Sequence, residues 1–110
     1  MARQMLTVST WYAARELGGV LHAGGVLKDA TIPKQNVASV RSVFAAKACG
    51  ASSVLATASL QPLQAVKLFS SIASAMGSGG QANYAAANAV IDAWAHGCQS
   101  QVGSLGTCTM

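Results

Sequence analysis

Residues 65–98 read AVKLFSSIASAMGSGGQANYAAANAVIDAWAHGC, and three textures succeed one another along them. AVKLFSS is a short apolar run of strand length that ends on Ser70 and Ser71. IASAMGSGG is rich in small residues and reads as a loop. From about Gln81 to Cys98 the pattern is helical. Tyr84, Ala87, Asn88, Ile91, Trp94 and Ala95 share one face; Ala86, Val90, Ala93 and Gly97 make a second face of small residues. A helix apolar on two sides is expected to be sandwiched between layers. On this greasy helix a phenol and an amide, Tyr84 and Asn88, stand four residues apart and project the same way.

Upstream, GVLHAGG (19–25) reads as a second short strand running into a glycine turn. Its apolar residues are continuous, which suits a parallel strand covered on both faces. Thr10–Leu17 reads as the end of a helix stopped by Gly18 and Gly19. VLKDATIPK (26–34) is a loop, and Pro33 suits the first turn of the next helix. That helix is expected from Gln35 to about Leu60, with Val37, Val40, Phe44, Ala48, Ala51 and Leu55 in one stripe and Lys47 at its edge. Lysine is rarely buried without a partner, so its place there needs a reason. Gly50 and the residues after it are candidates for a kink. The tail, QVGSLGTCTM, reads as a loop heading toward a further strand that does not arrive. Strand, helix, strand, helix is the order of a parallel α/β sheet with right-handed crossovers. Only two strands are clear, too few to bury helices on both faces, so the fold reads as part of a larger one.

Composition narrows the classes. The chain has 110 residues, of which 52% are hydrophobic and 9% charged. An average soluble domain carries roughly 25% charge, so this sequence resembles an interior piece of a larger assembly. The net charge is +4, with the basic residues dispersed and no aromatic interleaving, which argues against nucleic-acid binding. Three cysteines, Cys49, Cys98 and Cys108, form no CxxC pair, so neither a disulfide framework nor a metal site is expected. Reduced thiols point to an intracellular, most simply cytoplasmic, location. No apolar run reaches the ~20 residues of a membrane span. The start lacks a signal-peptide core, and a targeting segment upstream of Met1 is compatible with the sequence.

Ligands in open α/β sheets bind at the carboxyl ends of the strands. Here those ends carry His22-Ala23-Gly24-Gly25 and Ser70-Ser71, and the helix bearing Tyr84 and Asn88 begins at the same edge. Taken singly, each has a bland explanation: a turn serine, a core tyrosine, a satisfied core histidine, a lysine reaching to water. Neither GSGG nor GGVLHAGG fits the G-x-G-x-x-G fingerprint.

In combination, residues 19–99 resemble the second half of a ketoreductase domain of a modular polyketide synthase, within the short-chain dehydrogenase/reductase superfamily. The matching stretches are GVLHAGGVLKDATI, VFAAKACGA, LFSSIASAMGSGGQANYAAANAVIDAWA and CQSQVG. The resemblance implies part of a Rossmann-type doubly wound parallel sheet, with residues 1–110 a partial ketoreductase domain that lacks the glycine-loop half. It implies a catalytic set of Lys47, Ser71, Tyr84 and Asn88. Ser71 lies 24 residues after Lys47, and Tyr84 lies 13 after Ser71. Most of the superfamily carries lysine four residues after the tyrosine; here asparagine is there and lysine is on the preceding helix. That exchange resembles the ketoreductases of polyketide and animal-type fatty acid synthases.

The implied substrate is a β-ketoacyl thioester on an acyl carrier protein, the implied cofactor NADPH, and the implied partners the other synthase domains. Ser71 and Tyr84 would donate to the developing oxyanion, with Tyr84 as general acid. A free phenol gives up its proton reluctantly at neutral pH, and a nearby ammonium favours the phenolate. Lys47 would supply that charge and bond the nicotinamide ribose; Asn88 would hold Lys47 or a relaying water. His22, Ala23 and Gly24, with Lys47 and Tyr84, would line the cofactor; Gly24 stands where the family usually has alanine. Leu27 and Asp29 match two positions of the Leu-Asp-Asp motif that goes with B-type substrate entry, and Lys28 departs from it. Met76 stands where the opposite type usually has tryptophan. These three would face the substrate and set stereochemistry. Alone, the chain is expected neither to bind NADPH well nor to turn over. The competing readings are a non-catalytic truncated or structural ketoreductase fragment, although structural halves usually lack the tyrosine and lysine retained here, and a small helical interaction module.

Overall fold

The alternation of strand and helix closes into a three-stranded parallel sheet with spatial order β1-β2-β3. The computed structural model describes residues 18–58, 60, 63–101 and 106–109. The order is β1 (Gly19–His22), a 3-10 turn (Ile32–Lys34), α1 (Val37–Phe44), a π-helical turn (Ala45–Cys49), α2 (Gly50–Ala58), β2 (Ala65–Leu68), α3 (Ile72–Met76), α4 (Ala82–Gln101) and β3 (Gly106–Thr109). The helix expected over Thr10–Leu17 lies outside the described residues.

Three elements depart from the sequence-based expectation. The tail does reach its strand: β3 pairs in parallel with β2, Thr107 opposite Val66. The loop IASAMGSGG opens with α3, capped by Ser71, whose Oγ accepts from the Ala73 amide at 3.2 Å. Pro33 sits in the 3-10 turn, and α1 starts four residues later behind Asn36. There a reciprocal capping box forms: Asn36 Oδ1 accepts from the Ser39 amide at 2.9 Å, and Ser39 Oγ accepts from the Asn36 amide.

Gly50 does not kink the long helix; the irregularity is the π turn just before it. One inserted residue rotates the upstream helix by about 100° relative to α2. Downstream, Ala51 and Val54 are buried and Leu55 half-buried, close to the expected stripe. Upstream and within the π turn, the buried positions are Val43, Lys47 and Ala48, while Val37 and Val40 are exposed. The insertion thus moves Lys47 from the edge of the stripe into the interior.

The core joins Ala51 and Val54 of α2, Leu63 just ahead of β2, Val66 and Leu68 within it, and Ile91 of α4, with Val20 and Trp94 packed around them. Val20 pairs with Val66 and His22 with Leu68, so one sheet face carries the buried side chains. On the other, Leu21 is 67% exposed opposite exposed Lys67. The expectation that β1 is covered on both faces therefore does not hold among the described residues. Likewise α4 buries one of its apolar faces far more than the other: Ala87, Asn88, Ile91 and Ala95 are inside, while Ala86, Ala93 and Gly97 are exposed and Val90 is half-buried.

Candidate active site

The carboxyl ends of β1 and β2 converge on the π turn, and three hydrogen bonds close a ring there. The Phe69 amide donates to His22 O at 2.9 Å, extending the β1–β2 ladder by one step. Lys47 Nζ donates to Phe69 O at 2.7 Å. His22 Nε2 lies 3.1 Å from Lys47 O, an acceptor, so that nitrogen carries the hydrogen. Lys47 is 4% exposed, and its Nζ stands 5.8 Å from the centroid of the Tyr84 ring. That is within the range in which a cation feels the ring's negative face. Gly25 permits the approach, since a Cβ there would lie 3.0 Å from Lys47 Cε.

Asn88 is fully buried one turn along α4. Its Nδ2 donates to Tyr84 O at 2.8 Å, and its Oδ1 has no hydrogen-bond partner among the described residues. A buried acceptor left alone costs about 1–3 kcal/mol. Such an atom marks a place for a donor.

Of the residues expected along the cofactor, His22 turns its ring inward onto Lys47, whereas Ala23 and Gly24 are exposed. Ser71 caps α3 two residues beyond Phe69, and its carbonyl oxygen lies 2.7 Å from Ser74 Oγ, where it competes with Asp92 for that hydroxyl's single hydrogen. Of the substrate-facing candidates, Leu27 is 57% exposed and Met76, the last residue of α3, 78% exposed. Asp29 Oδ2 accepts from Gln81 Nε2 at 3.1 Å.

Two supports were missed in the sequence reading. Buried Asn83 donates from Nδ2 to Lys28 O at 2.9 Å, and the Ala30 amide donates to Gly80 O at 2.9 Å. With the Asp29 bond, these tie the 26–31 loop to the start of α4. Ser74 Oγ lies 2.7 Å from Asp92 Oδ2, fastening α3 to α4. The available signals were an asparagine in the first turn of an alanine-rich helix and a lone carboxylate on its apolar half.

This architecture is that of the short-chain dehydrogenases. One such enzyme from Streptomyces avermitilis matches 100% of this chain and 43% of its own with a TM-score of 0.84, at 16% identity, a likeness of fold alone. The sequence narrows the class: the KR domain model matches residues 2–108, and the chain belongs to that family. It is 44% identical over 81 residues to the spectinabilin polyketide synthase system protein NorA' of Streptomyces orinoci, covering 74% of this chain and 2% of that protein. The first ketoreductase of the tylosin polyketide synthase shares 36% identity and a TM-score of 0.81, over 94% of this chain and 22% of that one. The chain thus spans a small part of the relatives it matches. KR domains are oxidoreductases of polyketide assembly, and their superfamily works with nicotinamide cofactors. No described helix is long and apolar enough to cross a membrane.

Proposed function

We propose that these residues form the catalytic part of a ketoreductase that uses NADPH to reduce a β-ketoacyl thioester, held on an acyl carrier protein, to the β-hydroxyacyl thioester in polyketide or fatty acid assembly. The observation that carries this reading is Lys47: a buried ammonium, bound to a backbone carbonyl and standing over the Tyr84 ring. A lysine is rarely buried unless its ammonium is paired, and here the pairing sets it beside a phenol.

The residues present fit a nicotinamide cofactor. The Lys47 ammonium has three hydrogens and uses one on Phe69 O among the described residues. The other two suit ribose hydroxyls, and the exposed Ala23–Gly24 backbone suits close approach of a planar ring.

Bound NADPH would supply a hydride to the β-carbonyl carbon. Ser71 and Tyr84 donate hydrogen bonds to the carbonyl oxygen as it gains charge. Tyr84 then gives its phenolic proton to that oxygen, which completes the hydroxyl and leaves a phenolate. Lys47 stabilises the phenolate through space. Asn88 Oδ1 accepts from the lysine or from a water that returns a proton to Tyr84. Leu27, Asp29 and Met76 line the substrate's entry and favour the B-type hydroxyl configuration.

The test is a hybrid domain in which residues 19–109 replace the matching segment of the first ketoreductase of the tylosin polyketide synthase. The hybrid is expected to convert a β-ketoacyl N-acetylcysteamine thioester to the β-hydroxy product with NADPH. A folded hybrid that binds NADPH but makes no hydroxy product contradicts the proposal.

A further inference from the structure

We infer that His22 is a positioning residue that holds the π turn in register and so places the Lys47 ammonium beside Tyr84. The inference rests on the reading of Lys47 as the functional cation. Three observations carry it.

The first is the turn itself. The Gly50 amide reaches both Ala45 O, five residues back, and Lys47 O, three back, a bifurcated bond that leaves Lys47 O a lone pair for a second donor. His22 Nε2 supplies it at 3.1 Å in a buried setting. The second is space. A Cβ at Gly50 would come within 2.8 Å of His22 Cε1, and one at Gly24 within 3.0 Å. Glycines on both sides let the ring lie flat against the turn. The third is closure. His22 O takes the Phe69 amide, Phe69 O takes Lys47 Nζ, and Lys47 O takes the His22 ring. Lys47 is thereby fixed at its backbone and at its charged end by the same strand pair.

The consequence is geometric. In an uninterrupted α-helix the Lys47 side chain would point about 100° away from its present direction relative to α2. The inserted residue is what brings it inside, and His22 is the side chain that grips the insertion. His22 does this without touching the reacting atoms.

The direct test needs no turnover. The long-range 15N spectrum of the hybrid domain, with His22 assigned from the signals lost in its His22→Gln variant, reports which nitrogen of His22 is protonated. A carbonyl only accepts, so hydrogen on Nε2 is the expected result. Hydrogen on Nδ1 alone, or the tautomer mixture of a free imidazole, overturns the inference. In the hybrid domain, His22→Phe is expected to lower kcat on the order of 10- to 100-fold, the scale of an ångström-level misplacement, with KM for the thioester within about twofold. His22→Gln, which restores an N–H donor, is expected to recover part of the loss. Should His22→Phe fail to fold by circular dichroism, Gly50→Ala makes the same test by pushing the ring away. Unchanged kcat in the folded variant overturns the positioning role; full activity in Lys47→Met overturns the reading of Lys47 instead.

Discussion

The Lys47 ammonium stands 5.8 Å from the centre of the Tyr84 ring, while its stem is packed against Gly25 and its Nζ bonds Phe69 O. A cation held this firmly has little freedom to move away from the phenol. In the hybrid domain, Lys47→Met should lower kcat on the order of 10²- to 10³-fold, the scale of losing one preorganised charge or donor. Lys47→Arg should not rescue it, because a planar guanidinium cannot take the place of a compact ammonium in that slot. Steady-state kinetics decide this; near-normal turnover by the arginine variant would mean that charge alone suffices.

Asn83 and Gln81 latch the loop of Leu27 and Asp29 onto α4. Asn83→Ala removes the buried latch and should cost about 1 kcal/mol of stability. Amide exchange over residues 26–31 should accelerate about fivefold, which that loss corresponds to. The enantiomeric purity of the hydroxy product should fall with it. Unaltered exchange, with purity retained, would remove the loop from stereocontrol.

Ser74 and Asp92 join α3 to α4 near the Ser71 cap. Asp92→Ala should destabilise the fold by about 1–3 kcal/mol, since the hydrogen bond is to a charged group and the site is half-buried. Asp92→Asn keeps an acceptor and should cost less. Urea unfolding of the two variants orders them, and equal midpoints would show that the bond contributes nothing.

Ile91 is fully buried at the centre of the core, and Met76 is 78% exposed. Ile91→Ala should cost about 2–5 kcal/mol, whereas Met76→Ser should stay within about 0.5 kcal/mol. Thermal melts separate the two; comparable losses would place Met76 against a surface that the described residues do not show.

The parallel sheet and α4 were legible because their signals are strong ones: short, mostly apolar runs of strand length at 19–22 and 65–68, each leading into small residues, and a long apolar face from Tyr84 to Ala95. The π turn was not, because a single inserted residue changes the phase of a pattern without changing its composition. It explains why Lys47 reads as marginal in the sequence and is buried in the fold. Helix α3 escaped notice because its signal is one serine cap ahead of five residues. GTCT escaped as a strand because it has one glycine, two threonines and no long apolar side chain, and only its pairing with β2 defines it. At the candidate site, Tyr84 and Asn88 announced themselves by spacing. The inward turn of His22 depends on glycines at 24 and 50, which a one-dimensional reading cannot bring together.

The central claim is that Tyr84 gives the proton that completes the hydroxyl group. Its most direct test compares the hybrid domain with its Tyr84→Phe variant, monitoring NADPH oxidation and formation of the β-hydroxy thioester in the same sample. The account predicts that the variant binds NADPH with unchanged affinity and loses turnover by at least about 10²-fold. A variant that keeps the ring, binds cofactor and still reduces the thioester at the parent rate would contradict it.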